Sequence, residues 1–323
     1  MNRVLLGSFG LLSVLSIAAD APSEWSARLA KIKVERYVRA PAYSEGPTWR
    51  DGELFFCSTG LLRVTRERQV RRYLDVSPAG TYLLGNGHIL ICDNKLPALL
   101  DLAPDGAVHV LVEKYKGEKL NSLNDVTVDG DGNVYWTDPS GSSREKPVGC
   151  IFRLTPDGAV ERLADNLAFP NGLEVDPDNR HLYVIESQTA KLLRYDLPAR
   201  GEALGRPVVF FALGGSGGDG CVFDAAGNFW IADFHRPETK KGRITILSPQ
   251  GKLLGHLPIP AAQVSNLTFG GPRRDELFVT TGEPAGVFHA RVGVPGFKGF
   301  PGKPYKSVRR LDIKTLDEPL PNK

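Results

Sequence analysis

The chain has 323 residues, 41% of them apolar and 24% charged, with 40 basic against 37 acidic residues and a formal charge of +3. That balance is ordinary for a soluble globular protein, and without a basic stripe interleaved with aromatics it argues against a nucleic-acid partner. The length excludes a single small core and suits two ordinary domains or one large all-β or barrel-type domain.

The first residues, "MNRVLLGSFGLLSVLSIAAD", read as a secretory signal. Arg3 gives the positive start, Val4 to Ile17 the apolar stretch, and Ser16-Ile17-Ala18 a small-residue cleavage site, with cutting after Ala18 or Ala19. The apolar stretch is too short to span a bilayer comfortably, so no stable membrane anchor is expected after cleavage. The expected location is exported, periplasmic or secreted. Export permits disulfides. Cys57, Cys92, Cys150 and Cys221 lie at strand-like apolar runs with no CxxC or other metal spacing, and are read as buried free thiols, one pair of which could still be bridged.

After the signal, "SEWSARLAKIKV" is at most a short helix. The rest repeats one plan: a short apolar strand, a Gly/Asp/Asn/Pro turn, then a strand of aromatic and β-branched residues. The six copies are "GPTWRDGELFFCS", "GTYLLGNGHILICD", "VTVDGDGNVYWTD", "LEVDPDNRHLYVIE", "VFDAAGNFWIAD" and "LTFGGPRRDELFVTT". The residues before the second strands are Glu53, His88, Asn133, His181, Asn228 and Glu276, spaced by 35, 45, 48, 47 and 48. A period of roughly 47 residues with about four strands is the signature of a propeller blade. The chain is therefore predicted to be all-β, a six-bladed β-propeller with four strands per blade. The expected organisation is a signal peptide over 1–19, the propeller over 20–292 and an extension over 293–323. The last repeat lacks a fourth strand, and "KVERYVRAP" (33–41) is predicted to supply it and close the ring. The Gly-, Pro- and Lys-rich tail from Gly293 reads as a solvated or surface-draped extension.

"PNG" at 170–172 carries an Asn-Gly pair, normally a hairpin turn, yet the turn of that repeat lies later, at Asp176–Asn179. Counting back 8 to 10 residues from each marker reaches the start of the strand that lines a propeller's channel. Glu45, Asn124, Asn171, Asp219 and Asn266 stand there, with Ala79 in the second blade. Each alone suits a strand end. Repeated at one structural position they predict a polar ring with something bound in it, because unpaired buried polar groups are costly. Two carboxylates with amide oxygens suit Ca²⁺ or Mg²⁺, or Mn²⁺, rather than zinc or copper. The histidines are scattered, although His235 could reach the face of Asp219. "GGSGG" (214–218) reads as a flexible lead into Asp219. The chain has no GxSxG elbow and no P-loop.

Together "SEGPTW", "LNSLNDVTVDGDGNVYWTDPS", "FPNGLEVDPDNRHLYVIES", "GGDGCVFDAAGNFWIADF" and "SNLTFGG" resemble the gluconolactonase / senescence-marker-protein / luciferin-regenerating-enzyme family, over about residues 35 to 285. The resemblance implies metal ligation by Glu45, Asn171 and Asp219, and contact of Asn124 with substrate or metal. It gives Asp219 the acid/base role as well. It implies one divalent metal ion, Ca²⁺ first, with Mg²⁺, Mn²⁺ or Zn²⁺ as alternatives. Animal members carry an Arg where this chain has Ser122, whereas "NSLND" (121–125) and "TDP" (137–139) fit the bacterial gluconolactonase-like branch. Ser122 and Asp138 are accordingly placed with Asn124 near the substrate, a turn-capping role being the alternative for Asp138. The implied reaction is metal-assisted opening of a sugar lactone, the partner a small-molecule lactone, and the assembly a monomer or weak dimer. The alternatives are hydrolysis of other lactones or phosphoesters, and a non-catalytic exported propeller that binds a sugar or protein around a structural metal.

Overall fold

In the repeated turns a leading aspartate folds the chain back by accepting the N–H groups ahead of it, an Asx-type turn. Asp129 Oδ1 takes the N–H groups of Asp131 (2.9 Å) and Asn133 (2.8 Å). Asp224 Oδ1 takes those of Ala226 and Asn228, both at 2.9 Å. Asp176 Oδ1 takes those of Arg180 and His181 at 2.8 and 3.2 Å. The residue at the start of the second strand answers from its side chain: Asn133 Nδ2 and Asn228 Nδ2 donate to the other oxygen of their aspartate, and His181 Nδ1 lies 2.6 Å from Asp176 Oδ2. These sequence-local bonds set the turn in three of the six repeats.

The computed structural model describes residues 22–235 and 239–320; the signal peptide expected over 1–19 lies outside them. The fold is an all-β, six-bladed propeller. Blade 1 runs from the channel outward as Glu45–Arg50, Glu53–Cys57, Leu61–Val64 and Val70–Leu74, and blade 2 as Pro78–Leu83, Ile89–Asp93, Ala98–Leu102 and Val108–Val112. Blade 3 is Val126–Val128, Val134–Asp138, Gly149–Leu154 and Val160–Leu167; blade 4 is Pro170–Val175, His181–Glu186, Lys191–Asp196 and Val208–Ala212. Blade 5 is Gly218–Phe223, Phe229–Asp233, Arg243–Leu247 and Leu253–Pro258. In blade 6 the strands Ala262–Gly270, Glu276–Glu283 and Ala285–Arg291 receive Glu35–Arg39 as the outer strand, with Glu35 opposite His289 and Arg39 opposite Gly286. The inner strands touch one another in ring order, and the first touches the last.

Apolar faces of adjacent blades meet in six separate cores, one per blade boundary. The helix Pro22–Leu29 docks on the outer strand of blade 5, burying Trp25 edge-on against Trp230 at 5.8 Å. All four cysteines are buried and unbridged. The tail is more than drapery. Arg309–Arg310 pairs with Val108–Val112 and Glu318–Pro319 with Val70–Leu74, giving blades 2 and 1 a fifth strand. Further backbone bonds tie Pro295 and Phe297 to blade 5, and Pro301 to Gly85 of blade 2.

Candidate active site

The inner strands share an irregularity where they begin. Pairing with the second strand skips from Glu45 to Thr48, from Pro78 to Thr81, from Pro170 to Leu173 and from Gly218 to Cys221. Such bulges re-aim side chains out of the regular alternation. Asn171-Gly172 lies inside one of them, within the strand Pro170–Val175, and the turn of that repeat falls at 176–179, with Asn179 in the left-handed region. Gly172 is there for packing: a Cβ on it would stand 2.3 Å from the Asp219 carbonyl oxygen of the next blade.

At this end of the channel Glu45, Asn124, Asn171 and Asp219 line one cavity of about 430 Å³, a size that fits a small-molecule site. Thr137 holds two of them from behind. Its carbonyl accepts the Asn124 N–H at 2.9 Å, and its hydroxyl donates to the Asn171 carbonyl at 2.8 Å. Ala79 lines the cavity as the blank in the ring. Asn266 does not line it. In blade 6 the skip falls between Val264 and Asn266, so Ser265 stands at the ring's height, and Asn266 sits one residue deeper with its Nδ2 3.4 Å from Asp125 Oδ2. The turn of blade 6 is longer than its counterparts, and counting back from Glu276 landed one residue late.

Ser122 and Asp138 also lie outside the cavity lining. Asp138 is buried and its carboxylate accepts the N–H groups of Asn121 (3.0 Å) and Ser122 (3.2 Å), fixing the loop that carries Asn124. Sequence reasoning missed Tyr43, Phe169, Ser187, Gln188, Ser216 and Phe234, which complete the wall. Tyr43 precedes Glu45 by two residues in "YSEGP", a signal visible only once Glu45 is suspected.

Tyr43 bridges the two carboxylates. Its hydroxyl lies 3.0 Å from Glu45 Oε1 and 3.2 Å from Asp219 Oδ2, so one proton is offered to two carboxylates. Burial raises Asp219 to about 7, Asp125 adding to the rise while hydrogen bonds from Tyr43 and Asn171 oppose it. Burial, then the charge of Asp219, drives Glu45 well above the ordinary carboxylate range. No basic side chain is among the main influences on either group. Two carboxylates that cannot ionise together, flanked by neutral amide oxygens, form a donor set into which a hard divalent cation fits. Among the described residues no cluster of three or more His, Cys, Asp or Glu side chains forms a metal site; half of this donor set is asparagine.

Below the ring the channel holds two more buried carboxylates. Glycines make room for the upper one: a Cβ on Gly80 would stand 2.4 Å from Asp125 Oδ1. Burial lifts Asp125 to about 7 and Glu174 to about 8, although Thr127 donates to Glu174 Oε1 at 2.6 Å. A carboxyl whose pKa is higher folded than unfolded keeps its proton longer in the native state. Its stabilisation is complete below the unfolded value of 4.5 and is lost as pH rises through about 8. Glu174→Gln is therefore expected to be more stable than the parent at pH 8 by on the order of 3–4 kcal/mol, and to show a flatter stability–pH curve between about pH 5 and 8. Urea unfolding in EDTA at pH 5, 6.5 and 8 checks this; parallel curves for the two proteins would mean Glu174 is ionised in the native state.

Residues 43–283 match the family described as the SMP-30/Gluconolactonase/LRE-like region. The chain belongs to this family. Among its relatives, the gluconolactonase of Zymomonas mobilis is 29% identical over 267 residues, 71% of this chain and 73% of that one. Regucalcin of Xenopus laevis is 28% identical, over 78% of this chain and 88% of its own. The solved structure of a gluconolactonase from Xanthomonas campestris superposes with a TM-score of 0.72 at 27% identity, covering 84% of this chain and 93% of that one. The SMP-30/gluconolactonase match opens on Tyr43 and closes at Glu283, so it contains the whole cavity wall while the outer strand of blade 6 and the tail lie beyond it.

Proposed function

We propose that this chain is a metal-dependent lactone hydrolase of the gluconolactonase type, opening a sugar lactone such as glucono-1,5-lactone in the Tyr43–Glu45–Asp219 cavity. The observation that carries the reading is the convergence of two buried, mutually repelling carboxylates and two asparagines in a cavity of small-molecule size, in a member of this family. Glu45, Asn171, Asp219 and Asn124 would hold a divalent cation, Ca²⁺ first among Ca²⁺, Mg²⁺, Mn²⁺ and Zn²⁺, which supplies Lewis-acid polarisation of a lactone carbonyl and charge for the developing oxyanion. Asp219 takes the proton of the attacking water on its Oδ. The Tyr43 hydroxyl fixes the angle between the two carboxylates. Asn124 orients the ester, held by the loop that Asp138 and Ser122 shape. Phe169 and Phe234 keep water from one wall. The signal read in residues 1–19 supports an activity in the periplasm or outside the cell.

The test is acid release from glucono-1,5-lactone by the purified protein in EDTA and after addition of each of the four cations. Turnover restored by one or more of them is expected; none on this or other small lactones, from protein shown to hold metal, would overturn the reading. Cation binding requires both carboxylates to lose their protons. Calorimetry is therefore expected to show Ca²⁺ affinity rising at least tenfold from pH 6 to pH 8, on the order of one factor of ten per pH unit for each proton displaced.

A further inference from the structure

The mouth of the cavity carries a polar device that the cation-binding set does not use. Ser216 lines the cavity, and its Oγ lies 3.1 Å from Nε2 of His235. The other ring nitrogen, Nδ1, is buried and has no hydrogen-bond partner among the described residues. The loop presenting Ser216 is fixed, not slack as its glycines suggested. Leu213 N–H donates to Ala190 O, Gly217 N–H to Gly214 O, and Phe234 N–H to Gly217 O, at 2.9, 3.1 and 3.2 Å. Gly217 has φ of 82°, and a Cβ there would meet the Ser187 carbonyl oxygen at 2.4 Å, so only glycine lets this loop close against blade 4. The His235 ring rests near that of Phe234, with centroids 5.6 Å apart. A serine hydroxyl is thus held in one place above the ring of Glu45, Asn171 and Asp219.

We propose that Ser216, oriented by His235, binds a hydroxyl group of the substrate and makes the site selective for polyhydroxylated lactones over unsubstituted alkyl lactones. This rests on the lactonase reading and names the part of the substrate it concerns. With the proton on Nε2, His235 donates to Oγ and the Ser216 O–H is free for the cavity. With the proton on Nδ1, Ser216 donates to Nε2 and its lone pairs are free to accept a substrate O–H. In both tautomers one polar function faces the cavity from a fixed position. A serine acting as nucleophile needs its histidine oriented by a third group; among the described residues Nδ1 has none, which favours binding over attack. Sites built to hydrogen-bond a substrate hydroxyl reject analogues lacking it more strongly than apolar pockets reject an added hydroxyl.

The test compares the parent with Ser216→Ala, His235→Ala and His235→Gln. Turnover is measured on glucono-1,5-lactone and δ-valerolactone, and binding of their unreactive lactams by calorimetry. Ser216→Ala is expected to raise KM for the sugar lactone, and Kd for its lactam, about 5- to 10-fold, with kcat and both δ-valero values little changed. His235→Ala should follow in part, and His235→Gln, whose amide nitrogen can take the place of Nε2, should restore the parent's preference. Equal losses on both rings, an unchanged sugar-lactam Kd, or a parent that binds the two lactams alike would overturn the proposal. So would a Ser216→Ala variant without turnover on both lactones, which would make Ser216 the nucleophile. Because lactams are not opened, their binding ratio reads the pair even if the parent hydrolysed neither lactone, an outcome that would sink the lactonase reading by itself.

Discussion

Asp219→Asn is expected to lower turnover of glucono-1,5-lactone about a thousandfold while leaving the fold and a measurable, weakened cation affinity in place. A positioned general base contributes on the order of 10²–10⁴ in rate. Asparagine keeps the shape and one oxygen of the side chain, so the bulge at Asp219-Gly220 and the Tyr43 contact remain possible. What is lost is the capacity to hold a proton. The substitution also removes one of the two charges that make Glu45 so hard to ionise, which softens the loss of cation affinity. A pH-stat assay beside Ca²⁺ calorimetry separates the two effects: turnover gone with Ca²⁺ still bound is the expected pair of results. Near-parental turnover from the Asn variant would place the base elsewhere. Asn171→Ala is the natural control, since it removes a neutral oxygen donor and should cost affinity before it costs rate.

What was legible in the sequence was whatever chemistry acts between residues close in the chain. The Asp129–Asn133, Asp176–His181 and Asp224–Asn228 turns need those residue types at those spacings to satisfy their own N–H groups, so the repeat, and with it the propeller, could be counted. Glu45, Asn124, Asn171 and Asp219 followed because each stands 8 to 10 residues before the residue that closes its repeat's turn. Where the turn itself changes length the ruler slips, and Asn266 was placed in the ring when Ser265 is there. Asp138 shows another limit: a carboxylate near a site sequence can serve the loop and never face the cavity. Tyr43, Phe169, Ser216 and Phe234 stayed hidden because they come from four connections whose convergence exists only once the ring is closed.

The tail was the least legible part, since its two short strands, Arg309–Arg310 and Glu318–Pro319, carry no alternation of their own and borrow their register from blades 2 and 1. Removing residues 293–323 is nevertheless expected to destabilise the protein by on the order of 5–10 kcal/mol. The reason is the placement of seven half-buried side chains. Val294 packs on the core between blades 5 and 6, Phe297 on that between 4 and 5, and Phe300 on that between 3 and 4. Tyr305 reaches the core between blades 2 and 3, Leu311 and Ile313 that between 1 and 2, and Leu320 that between 6 and 1. Half-burial of such side chains contributes about 1 kcal/mol each, and the two added strands also cover edges that would otherwise offer unpaired N–H and C=O groups. The Arg63 and Arg71 pairs with Asp317 add little, because Asp317 is mostly exposed. Thermal melts should show the shortened chain losing more than about 10 °C. If it does not fold at all, Leu311→Ala with Ile313→Ala in the full chain gives a graded test, expected to cost on the order of 2–3 kcal/mol through one core alone. A shortened chain melting within a degree or two of the parent would show that blade 6, closed by Glu35–Arg39, holds the ring without help, and that the six contacts made by the tail are surface decoration.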